Sequence, residues 1–318
     1  MDTVNTVNTV NTIVPRKRNR LIKRIIANRW YYLFLAPTII FLAIFHYGPM
    51  YGVQIAFRNF NPALGIWGSP WVGLHHFKEF INGYYFWSIL KNTLSVSICS
   101  TLFGFPMPIF IALLLNELKS KRYKKIVQTT LYAPHFISTV VLVGMVIIML
   151  SPSTGIINKA LEFLGFEKQY FMIQPESFLY ITVISGIWQG MGWSAIIYLA
   201  ALSGVDPQLH EAATIDGASR LQRIWHINFP AIKPTIVILL IMSIGRIASV
   251  GFEKVFLLQT PLNLETSEVI STYVYKRGLL NASYSFSAAV SFFNNIVNIT
   301  LLLLANFTAR KFSETSLF

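Results

Sequence analysis

Charged and amide side chains set inside long apolar runs are the residues of this chain that could handle a ligand. Arg246 and Glu253 lie in one such run, from about Ala231 to Leu258, with Ser243 and Ser249 on the same helical sector. A charge at membrane depth is costly and marks either a pathway or a salt bridge to a partner. Ser287, Ser291, Asn294, Asn295 and Asn298 share one sector of a second run, from about Ser285 to Ala309. Hydrogen-bonding groups cannot face lipid cheaply, so this row implies an interhelical seam or a pore lining. In a third run, Trp188, Gln189 and Trp193 combine aromatic rings with an amide. A ring can cover the apolar C–H face of a carbohydrate while an amide reads its hydroxyls. Plain helix packing with a satisfied Gln189 is the competing account, and Gly186 and Gly190 form a small-xxx-small pair suited to close helix contact.

These groups bind; they do not react. No Gly-rich phosphate loop with Lys-Ser/Thr occurs. The six His are scattered, and His75-His76 has no partner at metal-ligand spacing. There is no nucleophile elbow. The expectation is therefore no catalytic residue, no metal, no cofactor and no enzyme. Cys99, the single cysteine, excludes an internal disulfide and reads as a packing residue within an apolar span.

The elements that must position these residues follow from composition. Charged residues make up 12% of 318 and hydrophobic ones 54%. Soluble domains carry about 25% charged residues, so this is a polytopic membrane chain. The net charge of +13 then reflects cations held at the cytoplasmic face, with no nucleic acid implied. Residues 1–14 repeat Thr-Val-Asn and read as disordered. A basic stretch follows to Arg29, so 1–29 is expected to be a cytoplasmic arm resting on anionic lipid. The apolar run from Trp30 is too long for a secretory signal, and no small-residue cleavage site follows it. Six spans are expected within 30–309: Trp30–Phe57, bent at Gly48-Pro49, then Trp87–Leu115, Leu131–Leu150, Phe178–Leu202, Ala231–Leu258 and Ser285–Ala309. A short aromatic segment from Phe77 to Trp87 is placed at the outer interface, and 310–318 is a cytoplasmic tail. Lys and Arg number seven in the arm, five in 116–130, three around 204–233 and two in the tail, seventeen on one side. The opposite loops hold six, so both termini are expected in the cytoplasm.

The longest polar island in the C-terminal two thirds is 204–230. Asp206 is a good N-cap and Pro207 suits the first helical position. Gly217 can stop that helix, Ser219 can cap a second one reaching His226, and Pro230 marks the next boundary. A helix–Gly–helix elbow between two spans, on the cytoplasmic side, is built to be touched.

Within this elbow Glu211-Ala212-Ala213, Asp216-Gly217-Ala218 and Ile227-Asn228-Phe229-Pro230 resemble the "EAA" loop of permease subunits of bacterial ABC importers. Phe229 stands where Leu is commoner. The run from Trp188 to Ala218 is similar to the carbohydrate, MalF-type branch, and within it to polysaccharide and oligosaccharide permeases; the resemblance extends from about Trp30 to the C-terminus. It implies an all-α type I importer permease in the bacterial cytoplasmic membrane that moves an oligosaccharide; Arg246, in need of a partner at membrane depth, puts a uronate-containing one among the options. It also implies a second similar permease, a cytoplasmic ATPase dimer that grips the elbow, and an extracellular solute-binding lipoprotein. Glu211, Ala212, Ala213, Asp216, Gly217, Ala218, Arg220 and Pro230 would then couple to the ATPase. Trp188, Gln189, Trp193, Arg246, Glu253, Ser291, Asn294, Asn295 and Asn298 would line the substrate pathway. A permease for another polar solute, or a secondary carrier or channel, is the alternative.

Overall fold

A computed structural model describes residue 24 and residues 26–312. The expected disordered repeat, most of the basic arm and the end of the tail lie outside these residues. Ile26 and Ala27, at the end of the arm, are already helical. Among the described residues the only β-pairing is an isolated bridge between Arg58 and Trp71. Contacts divide the chain after Gln54, and the two parts are described separately.

In the first part, α1 (Arg29–Leu42) passes through a wider π turn at Ala43–Tyr47 ahead of Gly48-Pro49. The run Arg29–Phe57 is long and apolar enough to cross a membrane.

In the second part, α2 (His75–Ile81) precedes α3 (Phe86–Gly104) and α4 (Pro106–Asn116), which form one continuous span. The third expected span is broken. α5 (Lys121–Tyr132) runs on to Phe136, and α6 (Thr139–Leu150) leaves it at 99°. Pro134 and the Ser138 N-cap, which accepts from Val141 N, explain the corner. α7 (Ile156–Phe163) lies in the next loop, and α8 (Pro175–Leu202) is a full span. α9 (Pro207–Ile215) and α10 (Arg220–Arg223) form the elbow. Next come α11 (Phe229–Ile244), α12 (Phe252–Leu258), α13 (Leu264–Ser267), α14 (Ile270–Tyr275) and α15 (Tyr284–Phe312). Among the described residues five helices are long and apolar enough to cross, or six if the bent pair counts as one.

Two sequence expectations are corrected here. Pro230 does not end a helix, because Arg220–Ile244 is one uninterrupted helical run. The π turn Ile224–Asn228 widens the helix just before Pro230. That widening accommodates the ring and the missing N–H, which a regular α-turn would not. Conversely, the fifth span does not reach Leu258. α11 stops at Ile244, and residues 245–251 are non-helical. A Cβ on Gly245 would lie 2.6 Å from Leu302 Cδ1, so the bare glycine lets α11 meet α15 closely. Ser243, Arg246, Ser249 and Glu253 therefore do not share one helical sector.

Three buried clusters hold this part together. Val96, Val143, Phe178, Val255, Leu258 and Val269 anchor α12 among α3, α6 and α8. Ala112, Ala195, Tyr198, Leu202 and Ile232 join α4, α8 and α11. Phe80, Phe86, Ile89, Ile270, Phe286 and Val290 seat α2 against α3, α14 and α15. Lipid tails are as apolar as these side chains, so within the membrane such docking is driven by close van der Waals packing and interhelical hydrogen bonds and not by the hydrophobic effect.

Candidate functional site: an interhelical cavity and a capped elbow

The break after Ile244 opens a cavity of about 1030 Å³ walled by α3, α4, α8, α11, the 245–251 turn and the start of α12. Its walls include hydroxyls from Ser97, Ser100, Thr101, Ser194 and Ser243, the Trp193 ring, and two cations, Arg246 and Lys254. Among the described residues no Asp or Glu lines it. Asn298 builds the turn: its Oδ1 accepts from Ala248 N at 3.0 Å, and its Nδ2 donates to Ser249 Oγ at 2.8 Å. Backbone freed by a broken membrane helix must recover its bonds from protein, and Asn298 supplies one of them. Arg246 is exposed to the cavity and forms no ion pair among the described residues. Lys254 Nζ donates one bond to Thr182 O at 2.8 Å, leaving two N–H donors. Gly186 makes room for it, since a Cβ there would lie 3.0 Å from Nζ.

Other residues singled out from sequence fall elsewhere. Gln189 Nε2 donates to Ile137 O at 3.0 Å and so pins the corner between α5 and α6. Trp188 and Gln189 are not part of the cavity wall. Trp193 is, and its ring stacks on His135 at 4.5 Å and 2°. Glu253 is exposed outside the cavity, seven positions from Arg246 and not paired with it. Ser291 lines a separate recess of about 340 Å³ with Ser287 and Tyr275. Asn294 Oδ1 is buried without a partner, and Asn295 is exposed. The close helix contact read at Gly186 and Gly190 is made instead at Gly192, where a Cβ would meet Leu131 O at 2.0 Å; nothing lies within 4 Å at Gly190. Sequence reasoning missed Lys254 and Gly192. A Lys inside an apolar run was a visible signal; nothing local marks Gly192. Glu79, one turn beyond His75 and His76, brings the three sets of ligand atoms within 4.8 Å. Glu79 is also within 3.9 Å of Arg277 and 3.4 Å of His76, so it sits in an ion-pair cluster.

The elbow forms as its caps dictate. Asp206 accepts from Gln208 N at 2.9 Å and Pro207 opens α9. Gly217 takes φ +76°, with Ala218 N bonded to Ala213 O and Gly217 N to Thr214 O. That pair of bonds is the αL stop that favours glycine. Ser219 and Gln222 close a reciprocal capping box. Glu211, Ala212, Asp216, Arg220 and Pro230 are exposed, Ala213 and Ala218 half-buried. Ile215 and Leu221 stand 87% and 74% exposed, an apolar rim for something to cover. Beside them lies a groove of about 640 Å³ that includes Lys119, His210, Glu211 and Arg220. At its floor Arg223 Nη2 pairs with Glu117 Oε2 at 3.7 Å, a contact the sequence did not announce.

A bundle of apolar spans around a cavity that carries several hydroxyls and two cations, with an exposed, capped elbow on one loop, is the build of a membrane transport subunit. Residues 104–313 match the model of the family described as "Binding-protein-dependent transport system inner membrane component". The chain is 45% identical over 302 residues to the polygalacturonan/rhamnogalacturonan transport system permease protein YteP of Bacillus subtilis (strain 168), covering 95% of this chain and 94% of that one. It is similar to a solved bacterial alginate ABC transporter in complex with an alginate pentasaccharide-bound periplasmic protein: TM-score 0.86, 44% identity, 94% of this chain and 100% of that one. A second solved transporter, involved in the import of the acidic polysaccharide alginate, matches with TM-score 0.85 and 45% identity over 92% of this chain and 99% of that one. The chain belongs to the binding-protein-dependent transport inner-membrane family. It is thus an all-α, multi-pass permease subunit of the cytoplasmic membrane, a transport component and not an enzyme.

Proposed function

We propose that this permease passes an acidic, uronate-containing oligosaccharide into the cell through the cavity beside Arg246 and Lys254. The observation that carries this reading is the cavity's charge: two cations and no carboxylate among its lining residues. Unpaired cations between spans are costly, so a ligand carboxylate would relieve them. Arg246 suits a bidentate carboxylate contact, and Lys254 a point contact. Ring hydroxyls would meet the serines and threonines, and a sugar face would meet Trp193. The relatives described above support this reading, being transporters of polygalacturonan and rhamnogalacturonan or of alginate.

The remaining partners follow from the elbow. The excess of Lys and Arg supports a cytoplasmic position for it and for residues 1–29 and 310–318. There its apolar rim and groove would receive one subunit of an ATPase dimer. Glu211, Ala212, Ala213, Asp216, Gly217, Ala218, Arg220 and Pro230 form the docking face. A second permease completes the pathway, and a solute-binding lipoprotein delivers the saccharide outside. ATP-driven closure of the ATPases would move the elbow and switch the spans between outward- and inward-facing arrangements.

The test is uptake of matched neutral and uronate oligosaccharides by Arg246→Gln and Lys254→Gln. A lost charge-assisted bond is worth about 1.5–3 kcal/mol, so uronate uptake should fall roughly 10- to 100-fold while neutral uptake changes little. Equal loss of both substrates would assign the two cations to structure and defeat the reading.

A further inference from the structure

The elbow needs nothing outside itself to form, because Asp206, Gly217 and the Ser219–Gln222 box satisfy its ends locally. It is nonetheless tied to a distant helix. Glu117 is the C-cap of α4, and its side chain is only 16% exposed. It receives Arg223 Nη2 at 3.7 Å and Asn228 Nδ2 at 3.2 Å. Asn228 is fully buried. The same guanidinium donates through Nη1 to Thr214 Oγ1 in α9 at 3.2 Å and to Ala218 O in the turn at 3.3 Å. One side chain thus touches both limbs of the elbow and the end of a membrane span. That span continues as α3 and α4 into the cavity wall at Ser100, Gly104 and Pro108.

We propose that the Glu117–Arg223–Asn228 cluster is the joint that passes elbow movement into the cavity wall. The proposal rests on the reading of the elbow as an ATPase docking site. Ser100 lies 17 positions before Glu117, about 25 Å along a helix. Pro108, itself in the wall, lies on the same helix α4 as the capped end, so a shift there moves the wall, and α3 with Ser100 follows through the join at Phe105 and Pro106. Elbow movement also travels covalently through α10 into α11, which packs Ile232 against Ala112 of the same span. The ion pair makes that transmission two-point: without it the elbow could pivot about α11 and leave α4 behind. Arg223 and Glu117 act here as positioning residues, not as ligand contacts.

The experiment uses the whole transporter, with its ATPase and binding protein, in liposomes. A reporter cysteine, Ser100→Cys in a Cys99→Ser background, is labelled with a water-soluble maleimide, with and without ATP plus vanadate. The native pair should show a labelling rate that changes roughly fivefold or more between the two states. Arg223→Gln and Glu117→Gln should keep the ATPase co-purifying yet lose most of that change. The reversed pair, Glu117→Arg with Arg223→Glu, should recover a large part of it. Single variants that assemble and respond like the native pair would overturn the joint. So would a reversed pair that assembles but stays unresponsive, which is also the deciding result if the single variants fail to fold into the membrane at all. Loss of ATPase co-purification from the singles would make the cluster a docking element and equally overturn it. Failure of the unaltered elbow to hold any ATPase would instead bring down the docking reading, and the joint with it.

Discussion

Gly192 offers the sharpest test of how the bundle is packed. A Cβ at this position would lie 2.0 Å from the carbonyl oxygen of Leu131 and 2.5 Å from its carbonyl carbon. The obstacle is backbone, so no rotamer change relieves it. Non-bonded heavy atoms settle near roughly 3.5 Å, so α8 and the end of α5 would have to part by about 1–1.5 Å. Overpacking costs about 1–3 kcal/mol, and a backbone obstacle puts Gly192→Ala at the upper end. Against this, exchanging a helical Gly for Ala gains about 0.5–1 kcal/mol by itself. Gly190 isolates that gain, because nothing lies within 4 Å of its would-be Cβ. The expected order is therefore Gly190→Ala at or slightly above the unaltered protein, and Gly192→Ala about 2 kcal/mol below it. Function should follow stability, since the Gln189–Ile137 bond and the Trp193–His135 stack lie on either side of the contact. The assay is thermal unfolding of the purified transporter alongside uptake per transporter in membranes. A Gly192→Ala protein with the midpoint and uptake of Gly190→Ala would refute the packing argument.

Gly217 should behave in the opposite way: its φ of +76° is strained for a side chain, but the space around it is open. Gly217→Val should cost about 1–2 kcal/mol of backbone strain, cutting uptake per ATP while membrane insertion stays normal. Gly217→Asn should be milder, as Asn tolerates that conformation, and wild-type uptake by the Val variant would sink the docking reading. For orientation, Lys168→Cys and Arg122→Cys, each in a Cys99→Ser background, place exposed cysteines on opposite loops. An impermeant reagent added outside should modify the first and spare the second, and the reverse pattern would overturn the cytoplasmic elbow.

The parts of this protein that were legible in the sequence are those whose physics is local. The elbow is the clearest case: Asp206 bonds two residues away and Ser219 three, and Gly217 answers a carbonyl within the preceding turn. Such bonds form wherever the right residues occur in order. Span 4, as Pro175–Leu202, and span 6, as Tyr284–Phe312, were equally readable, because length and hydropathy alone decide whether a helix can cross. Where a span breaks was not readable. The α11 helix ends at Ile244 because Gly245 meets Leu302 and because Asn298, fifty positions on, takes over a backbone N–H at Ala248. A 3.6-residue period carries no record of that partner, so Arg246, Ser249 and Glu253 read as one helical face when the turn had separated them. The same limit hid where Lys254 would sit, since its place in the cavity depends on the space left by Gly186, and the role of Arg223, whose partner Glu117 lies more than a hundred positions away. Apolar pattern and caps determined that there would be spans and an elbow. Which polar groups share the cavity, and which helix the elbow is bolted to, was decided only when close packing brought distant residues together.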